Sequence, residues 1–106
     1  MTKEEAFEKA KSATNEIWQN HKNSYQNESQ KRSAYAVMAR CWKTFKADLE
    51  AMGDKAYWDD PISKYTDIES SVKGTDNYTI FTEIMSVYMP IIDILWKTTY
   101  KYTFVK

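Results

Sequence analysis

Inward-suited positions recur at steps of three and four along four stretches of this chain, and helix-ending residues punctuate the gaps between them. In the first stretch Phe7, Ala10, Thr14, Ile17 and His21 share a stripe, with Trp18 at its edge. Thr2 with Glu5 three residues on forms a capping box, and Glu4 and Glu5 suit the positive end of a helix dipole. The pattern predicts a helix over 3–22. A polar run, QNHKNSYQNESQKRS, follows; Asn27 with Gln30, or Ser29 alone, is placed to cap the next helix. Ala34, Met38, Cys41, Phe45, Leu49 and Met52 then keep a helical rhythm, and Gly53 stands where such a helix ends, predicting 28–52.

Residues 54–60, DKAYWDD, read as a connector carrying the aromatic pair Tyr57 and Trp58. Asp60 followed by Pro61 is a cap-plus-first-turn start. Ile62, Tyr65, Ile68 and Val72 make a short helix over 61–73, closed by Gly74. Asp76 is positioned to cap a fourth helix over 77–102, the most apolar part of the chain. Its central stripe is Phe81, Ile84, Tyr88, Ile92 and Leu95, flanked by Val87, Ile91 and Ile94 on one edge and Met85, Met89 and Trp96 on the other. The apolar arc is roughly 220° wide, against about 100° for a helix resting on a core. Pro90, on the polar side, predicts a kink or break between 86 and 90. The final TTYKYTFVK alternates with period two but has no evident partner strand, so it is taken as helix to about 102 and then a frayed or docked tail.

Short links join antiparallel neighbours, so the expected architecture is all-α: an up-down four-helix bundle in a single domain, 1–106, with a long kinked C-terminal helix as its central element. Two Gly and two Pro favour helix over a turn-rich β fold. Fifteen basic and fifteen acidic residues cancel, which gives no global charge reason to seek nucleic acid or an anionic membrane. One cysteine excludes an internal disulfide, and MTKEEAFEKA has no apolar signal region, so a cytoplasmic protein is expected. No membrane span is expected either: the window 80–96 falls short of about 20 residues and contains Glu83, Pro90 and Asp93. Asp93 with Lys97 reads as a surface ion pair.

Catalytic chemistry finds little support. His21 is expected to be a packed, hydrogen-bonded histidine, since no nucleophile has an identifiable place beside it. Cys41 falls on a core position, where a thiol behaves as a small hydrophobe. One Cys and one His cannot build a structural zinc site, and no Glu-x-x-His pair exists for a di-iron centre. Asp59, Asp60, Asp67 and Glu69 are explained by capping and solvation. Gly53 and Gly74 alone cannot form a phosphate loop. No cofactor, metal or catalytic residue is expected, and the chain is read as not an enzyme.

Two surface features remain. Between Gln30 and Ala47 lie Lys31, Arg32, Arg40, Lys43 and Lys46 with no acid; an acidic run from Asp48 to Glu69 follows. Arg32, Arg40, Lys43 and Lys46 share an arc of about 120° opposite the core, with Tyr35 and Trp42 at its margin. Such a stripe suits an acidic protein surface or a nucleic-acid backbone, although the plain alternative is a solvated face. The second feature is the surplus apolar surface at Met85, Val87, Met89, Ile91, Ile94 and Trp96, extended by Tyr57 and Trp58. The leading expectation is therefore a small protein-binding module of inhibitor, immunity or adaptor type, of the kind small bacterial or phage proteins provide, acting as a monomer or homodimer. Nucleic-acid binding through the second helix is the alternative. An enzyme or toxin using His21 or Cys41 at an open cleft comes third.

Overall fold

The computed structural model describes residues 2–51 and 63–99, apart from the side chains of Ser63, Thr98 and Thr99. Among these, the fold is all-α, with four helices: α1 (Lys3–His21), α2 (Glu28–Ala51), α3 (Ser63–Val72) and α4 (Tyr78–Thr99). Met52, Gly53, Tyr57, Trp58, the Asp60–Pro61 start, Ile62 and residues 100–106 lie outside the described residues.

The helix ends show why the chain divides here. Glu5 N–H donates to Thr2 Oγ1 at 3.1 Å and Thr2 N–H donates to Glu5 Oε1 at 3.2 Å, completing the expected capping box. The bond from the Thr2 backbone holds the Glu5 carboxyl below its ordinary value. At α2, Asn27 Oδ1 accepts from Gln30 N–H at 2.9 Å, while Gln30 Oε1 reaches back to Gln26 N–H at 3.0 Å. The cap is thus Asn27, with the reciprocal bond falling one residue earlier than a capping box would place it. Gly74, at φ +85°, closes α3, a conformation that costs an L side chain strain. The first intrahelical acceptor of α4 is the Asn77 carbonyl, which receives Phe81 N–H at 3.1 Å. Asn77, not the expected Asp76, therefore occupies its N-cap position.

Long-range contacts fix the directions. His21 bonds Glu83 and Thr14 bonds Tyr88, so residue numbers rise along α1 as they fall along α4, and the two run antiparallel. Ser33 meets Asn77 and Phe45 meets Tyr88, so α2 and α4 run parallel. The bundle is up-down-up-down, with α2 and α4 in contact across its short diagonal and α1 and α3 flanking that pair.

The core draws on every helix. From α2 come Ala34, Met38, Cys41, Phe45 and Leu49, as the rhythm predicts; Tyr65, Ile68 and Val72 come from α3. α4 contributes Ile80, Phe81, Ile84, Tyr88, Ile91, Ile92 and Leu95. Burying each large aliphatic or aromatic side chain contributes about 1.5–3 kcal/mol. The buried stripe of α1 is made of small residues, Ala6, Ala10 and Thr14, while Phe7, Ile17, Trp18 and His21 are only half-buried. Small side chains let α1 approach closely, which makes room for Tyr88 and Phe45 in the middle. α4 is continuous through Pro90, so the expected break does not occur; Pro90 is exposed, and the Ser86 hydroxyl donates to the Glu83 carbonyl at 2.6 Å. At ten residues α3 spans about 15 Å, less than half of the roughly 33 Å of α4, so it can wall only part of the central helix.

Candidate partner-binding surface

On α4 the fully buried residues, Ile80 to Leu95, occupy an arc of roughly 120°, the middle of the wider apolar arc. The remainder forms two shoulders. On one, Val87 is half-buried and Ile94 is 47% exposed. On the other, Met85, Met89 and Trp96 are half-buried. Ile91 departs from expectation: at 2% exposure it belongs to the core and cannot meet a partner, since it falls between Ile80 and Ile84 on the wheel, inside the buried arc. Tyr57 and Trp58 lie outside the described residues.

Each shoulder borders a groove. Tyr65, Glu69, Phe81, Met85 and Met89 line one of about 300 Å³ between α3 and α4. Ala13, Ile17, Glu83 and Val87 line one of about 290 Å³ between α1 and α4. Asp93 and Lys97 form the expected exposed ion pair at 3.0 Å on the polar side. By length and composition alone, Tyr78–Lys97 is long and apolar enough to cross a membrane, contrary to the expectation that the window falls short; 39% of it is buried in the fold.

The stripe cations of α2, Arg32, Arg40, Lys43 and Lys46, are all exposed, and none makes an ion pair among the described residues; Lys31 is half-buried. Tyr35, at 52% exposure, meets Trp18 edge-on with ring centroids 5.2 Å apart. Trp42 is less available. It is half-buried, stacked on Phe45 at 6.0 Å and tilted against Phe7 at 5.2 Å, so it packs α1 against α2. The margin of the stripe therefore offers one exposed ring, not two.

His21 is 20% exposed and hydrogen-bonded through Nε2 to Glu83, which ties the end of α1 to the first turns of α4. Cys41 is buried, and that burial pushes its thiol up to about 12, which keeps it protonated and unreactive at neutral pH. Among the described residues no group of three or more His, Cys, Asp or Glu side chains is placed to hold a metal ion.

Two features were not anticipated from sequence. Asp48, counted with the acidic run, is 1% exposed. It stands beside Tyr65, whose phenol is pushed up first by burial and then by this carboxylate. No pattern rule places a carboxylate inside a stripe, although Asp48 does fall beside Cys41, Phe45 and Leu49 on the wheel. The second is a polar cleft of about 660 Å³ where the α1–α2 loop meets the α3–α4 turn, bordered by His21, Tyr25, Gln30, Ser33 and Asn77. No protein family, no curated protein and no solved structure matches this chain.

Proposed function

We propose that this chain is a small cytoplasmic protein-binding module, of the inhibitor, immunity or adaptor type, that acts by surface contact along α4. The observation that carries this reading is the mismatch on α4 between an apolar arc of roughly 220° and a fully buried arc of roughly 120°. Apolar shoulders bordered by charge mark interfaces, and methionine and tryptophan are enriched where partners meet. The same shoulders would serve a homodimer. The exposed cations of α2 would add attraction toward an acidic partner surface and speed its encounter.

Partner capture from the source cell, combined with light scattering after size exclusion, tests the proposal. Met89→Glu and Ile94→Glu should each abolish capture, or dissociate the dimer, without loss of helicity. A strictly monomeric protein whose captured partners are unaffected by Met89→Glu, Ile94→Glu and Trp96→Ala would end it. A second reading, nucleic-acid binding, draws on the four α2 cations that lack ion pairs among the described residues, with Tyr35 as a stacking ring. It predicts a salt-sensitive gel shift that disappears when Arg32, Lys43 and Lys46 are reversed together; the zero net charge weighs against it.

A further inference from the structure

We infer that the polar cleft at the loop end of the bundle is a binding site for a small, neutral, polyhydroxylated ligand of the mono- or disaccharide class. This site lies apart from the α4 shoulders and does not depend on the protein-binding proposal. Its volume of about 660 Å³ falls inside the roughly 300–1,000 Å³ range of small-molecule sites.

The chemistry of the walls selects the ligand class. Hydroxyls and amides dominate, with Ser29, Ser33, Thr79, Gln26, Gln30 and Asn77 among them; Asp76 adds one carboxylate, which can accept from ligand hydroxyls, and among the described residues no Lys or Arg takes part. A phosphate or carboxylate ligand would therefore meet no formal cation other than a protonated His21, and that imidazole is already committed to Glu83. The helix dipoles do not supply the missing charge. The N-termini of α2 and α4 point to this end, but so do the C-termini of α1 and α3, and the four partial charges offset one another. A purely apolar ligand is disfavoured as well, because among the described residues Ile80 is the sole aliphatic wall.

What the cleft offers is hydrogen-bonding capacity of both signs. Asn77 Nδ2 donates to Ser33 Oγ at 2.8 Å, which joins α2 to the α3–α4 turn. That bond leaves the Ser33 proton and Asn77 Oδ1 without a protein partner among the described residues, as are the Ser29 and Gln26 side chains. Sugar hydroxyls both donate and accept, so they match such a wall where a one-signed group does not.

The cleft also carries an aromatic face. Tyr25 lines it and stacks on Trp18 with centroids 6.3 Å apart and planes 28° from parallel; Trp18 in turn meets Tyr35. A ring held in this way gives the C–H face of a sugar an apolar surface to rest on, beside the polar groups that take its hydroxyls.

The test is a ¹⁵N-resolved NMR titration of the full chain with cellobiose, maltose, N-acetylglucosamine and inorganic phosphate, with the Trp18 indole N–H resonance as a second readout. At least one neutral sugar should give saturable shifts at the amides of Tyr25, Gln30, Ser33 and Asn77, and phosphate should give none. Tyr25→Ala and Ser33→Ala should each weaken that sugar by roughly tenfold or more while far-UV circular dichroism is unchanged. Ile94→Glu should leave sugar binding intact, which separates this site from the α4 surface. Saturation by phosphate alone, sugar shifts confined to another surface, or no saturable shift with any sugar at high millimolar concentration would each overturn the assignment.

Discussion

The Tyr88 hydroxyl lies 2.7 Å from Thr14 Oγ1 inside the core, and Thr14 donates onward to the Ala10 carbonyl at 2.6 Å. Because the Thr14 proton is committed to Ala10, Tyr88 is the donor in the pair. One buried chain of two hydrogen bonds thus locks the register of α1 against α4. Thr14→Val should cost about 1–3 kcal/mol, since it strands a buried phenol O–H. Tyr88→Phe should cost less, about 0.5–1.5 kcal/mol, because Thr14 keeps its bond to Ala10. Urea unfolding of both variants and of the double variant checks the ranking and the coupling.

Ile91 and Ile94 stand three residues apart on α4, yet one is 2% and the other 47% exposed. Ile91→Glu should destabilise by at least about 3 kcal/mol, because a carboxylate would be forced into the core. Ile94→Glu should stay within about 1 kcal/mol of wild type. Thermal melts decide this. Equal losses for both variants would show that the shoulder is covered, and the basis of the protein-binding proposal would go with it.

Alkaline unfolding should begin early. Burial raises the Cys41 thiol from its ordinary 9.0 to about 12 and pushes the Tyr65 and Tyr88 phenols above their ordinary 10.0. Each of these groups holds its proton more tightly folded than unfolded. Their contribution is therefore complete below pH 9 and is lost as pH climbs, through about 12 for the thiol. The slope should approach about 1.4 kcal/mol per pH unit for each group above its unfolded value. Denaturant titrations from pH 8 upward measure it, and Cys41→Ala should flatten the first part of the curve. At neutral pH a thiol reagent should leave Cys41 unlabelled until denaturant is added.

Gly74→Ala isolates a backbone effect. A Cβ there meets nothing within 4 Å, so only the φ of +85° opposes it. The expected loss is about 1 kcal/mol, read as a lowered melting temperature with an unchanged spectrum.

Much of this architecture is legible in the letters, for particular reasons. The rhythm from Ala34 to Leu49 defines α2 because Ala34, Met38, Cys41, Phe45 and Leu49 recur inward at steps of three and four, with Asp48 the buried exception, while most outward positions are charged, polar or small. The Thr2–Glu5 capping box is equally plain, since both halves of the reciprocal bond are local. Asp48 is illegible because its burial depends on Tyr65, seventeen positions away and on another helix, whereas a pattern rule sees only a carboxylate. The stripe of α1 is displaced for a related reason: Ala6 gives a weak hydropathy signal, and its value lies in how closely α4 can approach. The wheel of α4 gives the width of the apolar arc correctly but not which edge its neighbours fill, hence the split between Ile91 and Ile94. The polar cleft escaped notice because it joins two connections, which carry no periodicity, to polar residues at helix ends such as Ser29, Ser33 and Thr79, which belong to no apolar stripe.

Because α1 and α4 run antiparallel, Thr2 and Thr99 sit at the same end of the rod, opposite the loops that hold Tyr25 and Asn77. An affinity handle or a sensor chip attached at either position would crowd Trp96 and the last turns of α4 while leaving the sugar-type cleft facing bulk solvent. Immobilised protein should therefore report small-molecule binding faithfully and under-report capture along the central helix, so partner assays are better run with the chain free in solution.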